Sequence, residues 1–225
     1  MKVLIAGLGS IGRRHLRNLR KVGIQDVIAY RVRGNDIPEM DEHPLPVYGS
    51  LATALAQKPD IVFVTNPTSL HLEVALAAAR QGCHLFIEKP LSHTLKSVDE
   101  LIDITTTNGS VAMVGCNFRF HPALQQIQRL LVAGSLGRVI TARGHAGEFL
   151  PGWHPDEDWR LGYSARKELG GGVILTLIHE LDYAYWLFGP VRKVFAQAGG
   201  WGGLGLDVED TAEILLEHRS QSRVS

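Results

Sequence analysis

Neither sign of charge is in excess in this sequence: 23 Lys and Arg balance 23 Asp and Glu. A balanced chain carries no bulk field toward a polyanion, which argues against nucleic acid and against an anionic membrane surface as partners. Cysteine is scarce. Cys83 and Cys116 have no short spacing between them, so they read as reduced thiols rather than a disulfide framework or a metal site. No other metal-ligand spacing appears. His145 and His154 are isolated, and His179-Glu180 has no second histidine four residues on, which excludes a zinc-protease motif. No apolar run reaches membrane-spanning length. The longest, Val173–Phe188, is interrupted by His179, Glu180 and Asp182 and reads as a helix buried nearly all round. No targeting segment precedes the first strand pattern, and the chain reads as cytoplasmic. Internal repeats and low-complexity tracts are also missing.

What is present begins with alternation. The patterning predicts strands at Lys2–Ala6, Val27–Tyr30, Ile61–Thr65, His84–Ile87 and Ser110–Gly115. Helices are expected at Ser10–Val22, Leu51–Gln57, His71–Gln81 and Thr94–Asn108. Strands alternating with helices predict an α/β fold with a doubly wound parallel sheet. The character changes near His121-Pro122. A helix at Ala123–Val132 and a long strand at Val139–Ala146 come next. A Trp-, Asp-, Arg- and Pro-rich loop over Phe149–Lys167 and the helix Val173–Phe188 follow. Strands near Val194–Ala198 and Asp210–Leu216 complete the pattern, and Arg219–Ser225 carries no structural signal. Two domains are therefore expected: residues 1–121, dinucleotide-binding, and residues 122–225, an α+β domain with a mainly antiparallel sheet.

Gly7-Leu8-Gly9-Ser10-Ile11-Gly12 fits G-x-G-x-x-G, directly after the first strand and opening the first helix, which is the Rossmann context for a dinucleotide. Gly7 permits the tight turn, Gly9 lets the backbone approach a pyrophosphate, and Gly12 lets the helix pack on the strand. The N–H groups at Ser10 and Ile11 open the helix toward the phosphates. NAD enzymes usually place an Asp or Glu after the second strand. Here the strand ends Ala29-Tyr30-Arg31-Val32-Arg33, so Arg31 and Arg33 are candidates for a 2′-phosphate and NADP is slightly preferred over NAD. Two solvated arginines are the alternative, and Asp36 is a late substitute for the carboxylate.

Thr65-Asn66-Pro67-Thr68-Ser69-Leu70-His71 after the third strand and Glu88-Lys89-Pro90 after the fourth resemble, in order and spacing with the glycine loop, the glucose–fructose oxidoreductase and inositol dehydrogenase family. Asn117-Phe118-Arg119-Phe120 and Gly170-Gly171-Gly172 with His179-Glu180-Leu181-Asp182 extend the likeness to about Leu216. The resemblance implies an NAD(P)-dependent oxidoreductase acting on a sugar, sugar derivative or polyol. By it Lys89 is the catalytic acid/base, followed by Pro90 through a peptide that is often cis. Pro67 and His71 flank the nicotinamide with Asn66 near the ribose, and Glu88 belongs to the same cofactor site. His179 contacts the substrate and shares the proton, with Asn117, Arg119 and Thr176 lining the pocket. All the motifs of the first domain lie beyond the carboxyl ends of parallel strands, where ligands bind in open sheets. A lysine suits alcohol oxidation if desolvation and a nearby positive charge lower its pKa.

The pattern also departs from the family. An Asp usually stands one turn before the histidine; here the position is Thr176, three residues before His179, so no carboxylate from that turn partners the imidazole. Trp153 and Trp159 are candidates to stack on a sugar ring, and Arg160, Arg166 or Lys167 to bind a carboxylate or phosphate, against the alternative of a charged surface loop. Relatives of this kind are longer and complete an open sheet, so the chain reads as truncated, its unfinished sheet leaving an edge and a face uncovered. A homo-oligomer through that sheet is expected. Two other functions stay open: a redox-assisted lyase or hydrolase on tightly held NAD(P), and a non-catalytic dinucleotide-binding protein.

Overall fold

The computed structural model describes residues 1–32, 45–153, 158–219 and 222–224, arranged as two compact units divided between Gly115 and Cys116. Arg33 and Asp36, and with them part of the cofactor-specificity reading, lie outside the described residues, as does His154.

The first unit is a six-stranded sheet: β1 (Val3–Ala6), β2 (Val27–Tyr30), β3 (Val47–Tyr48), β4 (Ile61–Val64), β5 (His84–Ile87) and β6 (Ala112–Val114). Every pairing is parallel and the order is β3-β2-β1-β4-β5-β6. Helices α1 (Ser10–Lys21), α2 (Leu51–Leu55), α3 (His71–Ala79) and α4 (Val98–Asn108) accompany it. All four residues of β1 are fully buried. Their alternation feeds two cores, Leu4 and Ala6 packing with α2, α3 and α4, Val3 and Ile5 with α1. A parallel sheet covered on both faces has no room for a polar stripe, which is why the strands are continuous apolar runs. The order reverses between β1 and β4, so the loops after these two strands open side by side at the switch point.

Helix α4 starts at Val98 rather than Thr94, because Ser97 takes a left-handed conformation (φ 64°) and the chain turns there. The two-residue β3 had no sequence signal, yet it supplies backbone partners to β2: Ala29 N–H donates to Pro46 O and Arg31 N–H to Tyr48 O.

The second unit carries α5 (Pro122–Val132), β7 (Thr141–Ala142), α6 (Val173–Thr176), α7 (His179–Phe188), β8 (Val191–Gly199), β9 (Thr211–His218) and β10 (Arg223–Val224), with short 3₁₀ turns between Leu150 and Leu169. The sheet order is β7-β10-β9-β8; β8, β9 and β10 pair antiparallel and β10 pairs β7 in parallel. Three expectations need correction here. The long strand Val139–Ala146 shrinks to two residues, since only Arg223–Val224 offers it a ladder. Those last residues, read as structureless, are tied in by Arg223 N–H donating to Ile140 O and Ser222 Oγ donating to Val139 O. The single buried helix Val173–Phe188 is two helices, broken at Leu177 (φ −100°, ψ 37°), with only Thr176 and Ala184 buried and most of the rest partly exposed. The two pieces have separate anchors. Glu209 holds the start of α6, accepting from Ile174 N–H at its carboxylate and from Val173 N–H at its carbonyl, while Asp182 pins α7 to Arg119. Apolar periodicity carries no trace of either anchor.

Candidate active site

The glycine loop sits at the switch point of the first unit. Gly7 has φ +112°, and a Cβ on it would lie 2.8 Å from the Thr65 and Asn66 backbone. Gly12 is tighter still, with a Cβ falling 2.0 Å from Gly7 O. Gly9 differs from both: a Cβ there meets nothing within 4 Å. Sterics inside the fold therefore require Gly7 and Gly12 but not Gly9. Gly9 is also the N-cap of α1, with no side-chain cap and no acidic residue in the first turn. An open cradle in front of uncapped N–H groups fits a pyrophosphate, whose charge the helix terminus favours. Thr65 Oγ braces the loop from β4, donating to Gly7 O at 2.7 Å with Ala6 O at 3.2 Å. The sequence marks Thr65 only as the first residue of the motif after the third strand; its bracing contact to the glycine loop has no distinctive spacing to reveal it.

Asn66 and His71 follow β4. Asn66 Nδ2 donates to Leu70 O at 3.1 Å, and its Oδ1 is buried without a hydrogen-bond partner among the described residues. His71 is 2% exposed, and its two ring nitrogens lie 2.9 Å from Pro90 O and 2.9 Å from Asn66 O. The imidazole thus sits between the loop after β4 and the loop after β5, its single N–H donating to one of the two carbonyls while the other nitrogen faces the second; the Lys89–Pro90 peptide of the latter loop is cis. Lys89 and Glu88 are half-buried and Pro90 is buried. Glu88 turns toward α1: His15 Nε2 lies 2.7 Å from its Oε1, and Lys89 N–H donates to its Oε2 at 3.3 Å.

Burial is the largest influence on His71 and pushes its pKa below the usual 6.5, against the Pro90 and Asn66 carbonyls and the Glu88 charge, which favour the protonated ring. The unfolded chain therefore takes up this proton at a higher pH than the folded one. The stability involved is complete above pH 6.5 and drains away as pH falls toward the folded value, by at most about 1.4 kcal/mol per pH unit. The melting temperature of the chain should drop between pH 7 and pH 5, and His71→Asn should flatten that slope. An unchanged slope in the variant would assign the proton to another group.

In the second unit, the 3₁₀ turn Asn117–Phe120 is fixed to α7 twice. Arg119 donates to Asp182 through Nε (2.9 Å) and Nη2 (2.6 Å), and the Phe118 ring stacks on His179 with centroids 4.3 Å apart at 9°. Arg119 and His179 are thereby brought to one place, with Asn117 exposed beside them. Neither Phe118 nor Asp182 stands out as a partner in the sequence; the signal is the i, i+3 spacing of His179 and Asp182 on α7. Thr176 faces a cavity of about 200 Å³ lined also by Phe149, Trp153, Leu177, Leu206 and Glu209. Trp153 Nε1 is buried there without a hydrogen-bond partner among the described residues. Trp159 does not line that cavity. The Arg160 guanidinium sits over its ring at 4.5 Å and also pairs with Asp158, while Arg166 bonds Glu168 at 2.6 Å. Among the described residues no His, Cys, Asp or Glu cluster could hold a metal ion, and no helix is long and apolar enough to cross a membrane.

The chain is similar to known proteins. Myo-inositol 2-dehydrogenase of Thermotoga maritima is 30% identical over 98% of this chain and 66% of its own length. D-glucoside 3-dehydrogenase of Escherichia coli is 32% identical over 71% of this chain and 49% of its own. Of solved structures, myo-inositol 2-dehydrogenase from Lactobacillus plantarum matches with TM-score 0.86 at 20% identity, covering 100% of this chain and 68% of that one. The WlbA dehydrogenase from Bordetella pertussis, in complex with NADH and UDP-GlcNAcA, gives 0.81 at 21%, over 100% and 67%. The first relatives matched are longer, this chain spanning 38% of one and 66% of another. The oxidoreductase-family model with an NAD-binding Rossmann fold matches residues 1–116 and the model of its C-terminal domain residues 124–225, so this chain belongs to the GFO/IDH/MocA oxidoreductase family.

Proposed function

We propose that this chain binds a nicotinamide dinucleotide across the β1–β4 switch point and transfers a hydride between it and a secondary alcohol or ketone of a sugar, sugar derivative or polyol. The observation that carries this reading is the open space at Gly9 in front of an uncapped helix, within one unit that also presents Asn66 and Lys89 at the ends of β4 and β5. The relatives named as inositol and glucoside dehydrogenases support the substrate class.

The bound dinucleotide supplies a ring that accepts or returns a hydride. The remaining tasks fall to the chain. The N–H groups of Ser10 and Ile11 bind the pyrophosphate. Asn66 Oδ1 accepts from a ribose hydroxyl, which gives that buried oxygen a partner. Pro67 shapes the loop beside the ring. Neutral Lys89 takes the hydroxyl proton as the carbinol C–H bond breaks, leaving a ketone and an ammonium; in reduction the ammonium gives the proton back. His71 acts by bracing, because both its nitrogens already face the two loop carbonyls. Within the second unit, His179, stacked on Phe118, and Asn117 are assigned to substrate contact, while Arg119 holds the turn. Thr176 lines the second unit's cavity, whereas Trp159, read from the sequence as a substrate residue, lies outside that cavity with Arg160 over its ring.

Cofactor choice rests on Arg31. Among the described residues no carboxylate follows β2 directly: Tyr30, Arg31 and Val32 occupy the position. A charge-assisted arginine contact to a 2′-phosphate contributes roughly 1.5–3 kcal/mol. NADPH should then bind about tenfold or more tightly than NADH, with the gap narrowing in high salt. Arg31→Asp should reverse the order. Equal affinities for both dinucleotides at low salt, measured by fluorescence titration, would remove Arg31 and Arg33 from the cofactor site. We place the protein in the cytoplasm, in keeping with two free cysteines, and read it as a homo-oligomer. Both faces of the edge strand β8 carry an exposed apolar side chain, Val194 on one and Phe195 on the other, 63% and 64% exposed, so either face offers an apolar contact to a second copy.

The activity itself is tested by offering the chain NAD⁺ or NADP⁺ with a panel of neutral sugars and polyols and following reduced nicotinamide. Turnover of at least one supports the reading, and cofactor bound without turnover of any favours a binding protein.

A further inference from the structure

His15 of the first unit has no part in the chemistry above. His15 lies on the core face of α1, one turn beyond Gly12 and beside Leu16. Its ring is packed on two aromatic side chains from neighbouring strands, Phe63 of β4 at 5.3 Å and Phe86 of β5 at 5.1 Å, which stack on each other at 4.8 Å and 19°. Beyond them the ring reaches Glu88, and the pair is largely buried, 15% and 14% exposed. A carboxylate only accepts, so Nε2 carries the proton and donates to Oε1. The other carboxylate oxygen accepts from the Lys89 amide. Space for this arrangement depends on Gly115, where a Cβ would stand 3.3 Å from the Phe86 ring and 3.4 Å from Glu88 Oε1.

We propose that His15 is a positioning residue: through the Glu88 carboxylate it fixes the Lys89 backbone to the helix that binds the pyrophosphate. The chain of contacts is short, α1 to His15 Nε2 to Glu88 to Lys89 N–H, and it joins the dinucleotide end of the site to its acid/base end across 73 residues of sequence. A ring that only packed against the stacked phenylalanines would need no polar atom. A buried imidazole and carboxylate that satisfy each other are costly to separate, so the link holds its geometry. The consequence for turnover rests on Lys89 being the proton-transfer group; the mechanical link does not.

The test separates the two. His15→Phe keeps a flat ring against the stacked Phe63 and Phe86 and removes the donor; His15→Gln keeps a donor. Amide exchange is followed residue by residue by NMR on the whole chain. In His15→Phe the Lys89 amide should exchange about tenfold faster or more, with Val62 and Val64 in β4 unchanged, and His15→Gln should recover part of the protection. Where a sugar substrate is turned over, kcat should fall about tenfold in His15→Phe while KM for the dinucleotide stays within about twofold. Unchanged exchange at Lys89, or a uniform rise across the unit, would reduce His15 to a core ring. Should His15→Phe fail to fold, Glu88→Gln is read in the same way, with the same local loss expected and the same uniform change overturning the assignment. Absence of turnover with every sugar would count against the oxidoreductase reading alone, because the exchange result stands without it.

Discussion

A Gly9→Val chain is expected to lose dinucleotide binding and to melt close to the parent. Both effects come from the space at that position. A Cβ at Gly9 meets nothing within 4 Å, and the backbone there is extended (φ −66°, ψ −171°), open to any residue. Valine at an N-cap costs about 1 kcal/mol relative to a good cap, and less relative to glycine. The branched side chain fills the cradle instead. It keeps a pyrophosphate away from the first N–H groups of α1, and two charge-assisted bonds of about 1.5–3 kcal/mol each are forfeited, so affinity should fall about a hundredfold or more. Gly12→Val is the control of opposite sense. Its Cβ would stand 2.0 Å from Gly7 O, so α1 must lift off the loop and the protein should be destabilised by about 1–3 kcal/mol or more. Fluorescence titration with NADH and thermal melting of both variants check the pair. Unchanged affinity in Gly9→Val would place the phosphates elsewhere.

Lys89→Ala carries the second large effect. The residue is half-buried beyond β5, on a loop held by the His71 bridge and the Glu88 amide contact. A general acid/base contributes about 10²–10⁴-fold, and turnover should fall by that factor. Dinucleotide affinity should change far less, since the proposed phosphate site is at α1, on a different loop of the sheet. Stopped-flow measurement of nicotinamide reduction, beside a binding titration, separates the two quantities. A variant within a few-fold of the parent would mean that another group carries the proton, with His179 first in line.

Much of this site is legible in the amino-acid sequence. β1, α1 and the glycine loop are local objects: an apolar run, a turn and a helix start follow one another along a short stretch of chain, and each residue type serves the geometry around it. The same holds for the loops after β4 and β5, since strand ends in a parallel sheet are where ligands gather. What stays hidden is set by distant partners. The His15–Glu88 contact spans 73 residues and Arg119–Asp182 spans 63. In both cases one member draws attention in the sequence without its partner. The strand at Thr141–Ala142 is short because its partner is short, and β3 exists because β2 offers it an edge. The break at Leu177 lies between a segment held by Glu209 and one held to Arg119 by Asp182, partners that a count of apolar residues over Val173–Phe188 does not register.

The central claim, that a hydride moves between a sugar carbon and a nicotinamide under the control of Lys89, is open to an isotope. A polyol or sugar turned over by the chain, deuterated at the carbinol carbon, is incubated with oxidised dinucleotide, and the products are read by mass spectrometry. The account predicts deuterium in the reduced nicotinamide, one atom per ketone formed, with the rate of its appearance collapsing in Lys89→Ala. Deuterium that stays on the sugar or washes into water, with dinucleotide still bound at the Gly9 cradle, would contradict it.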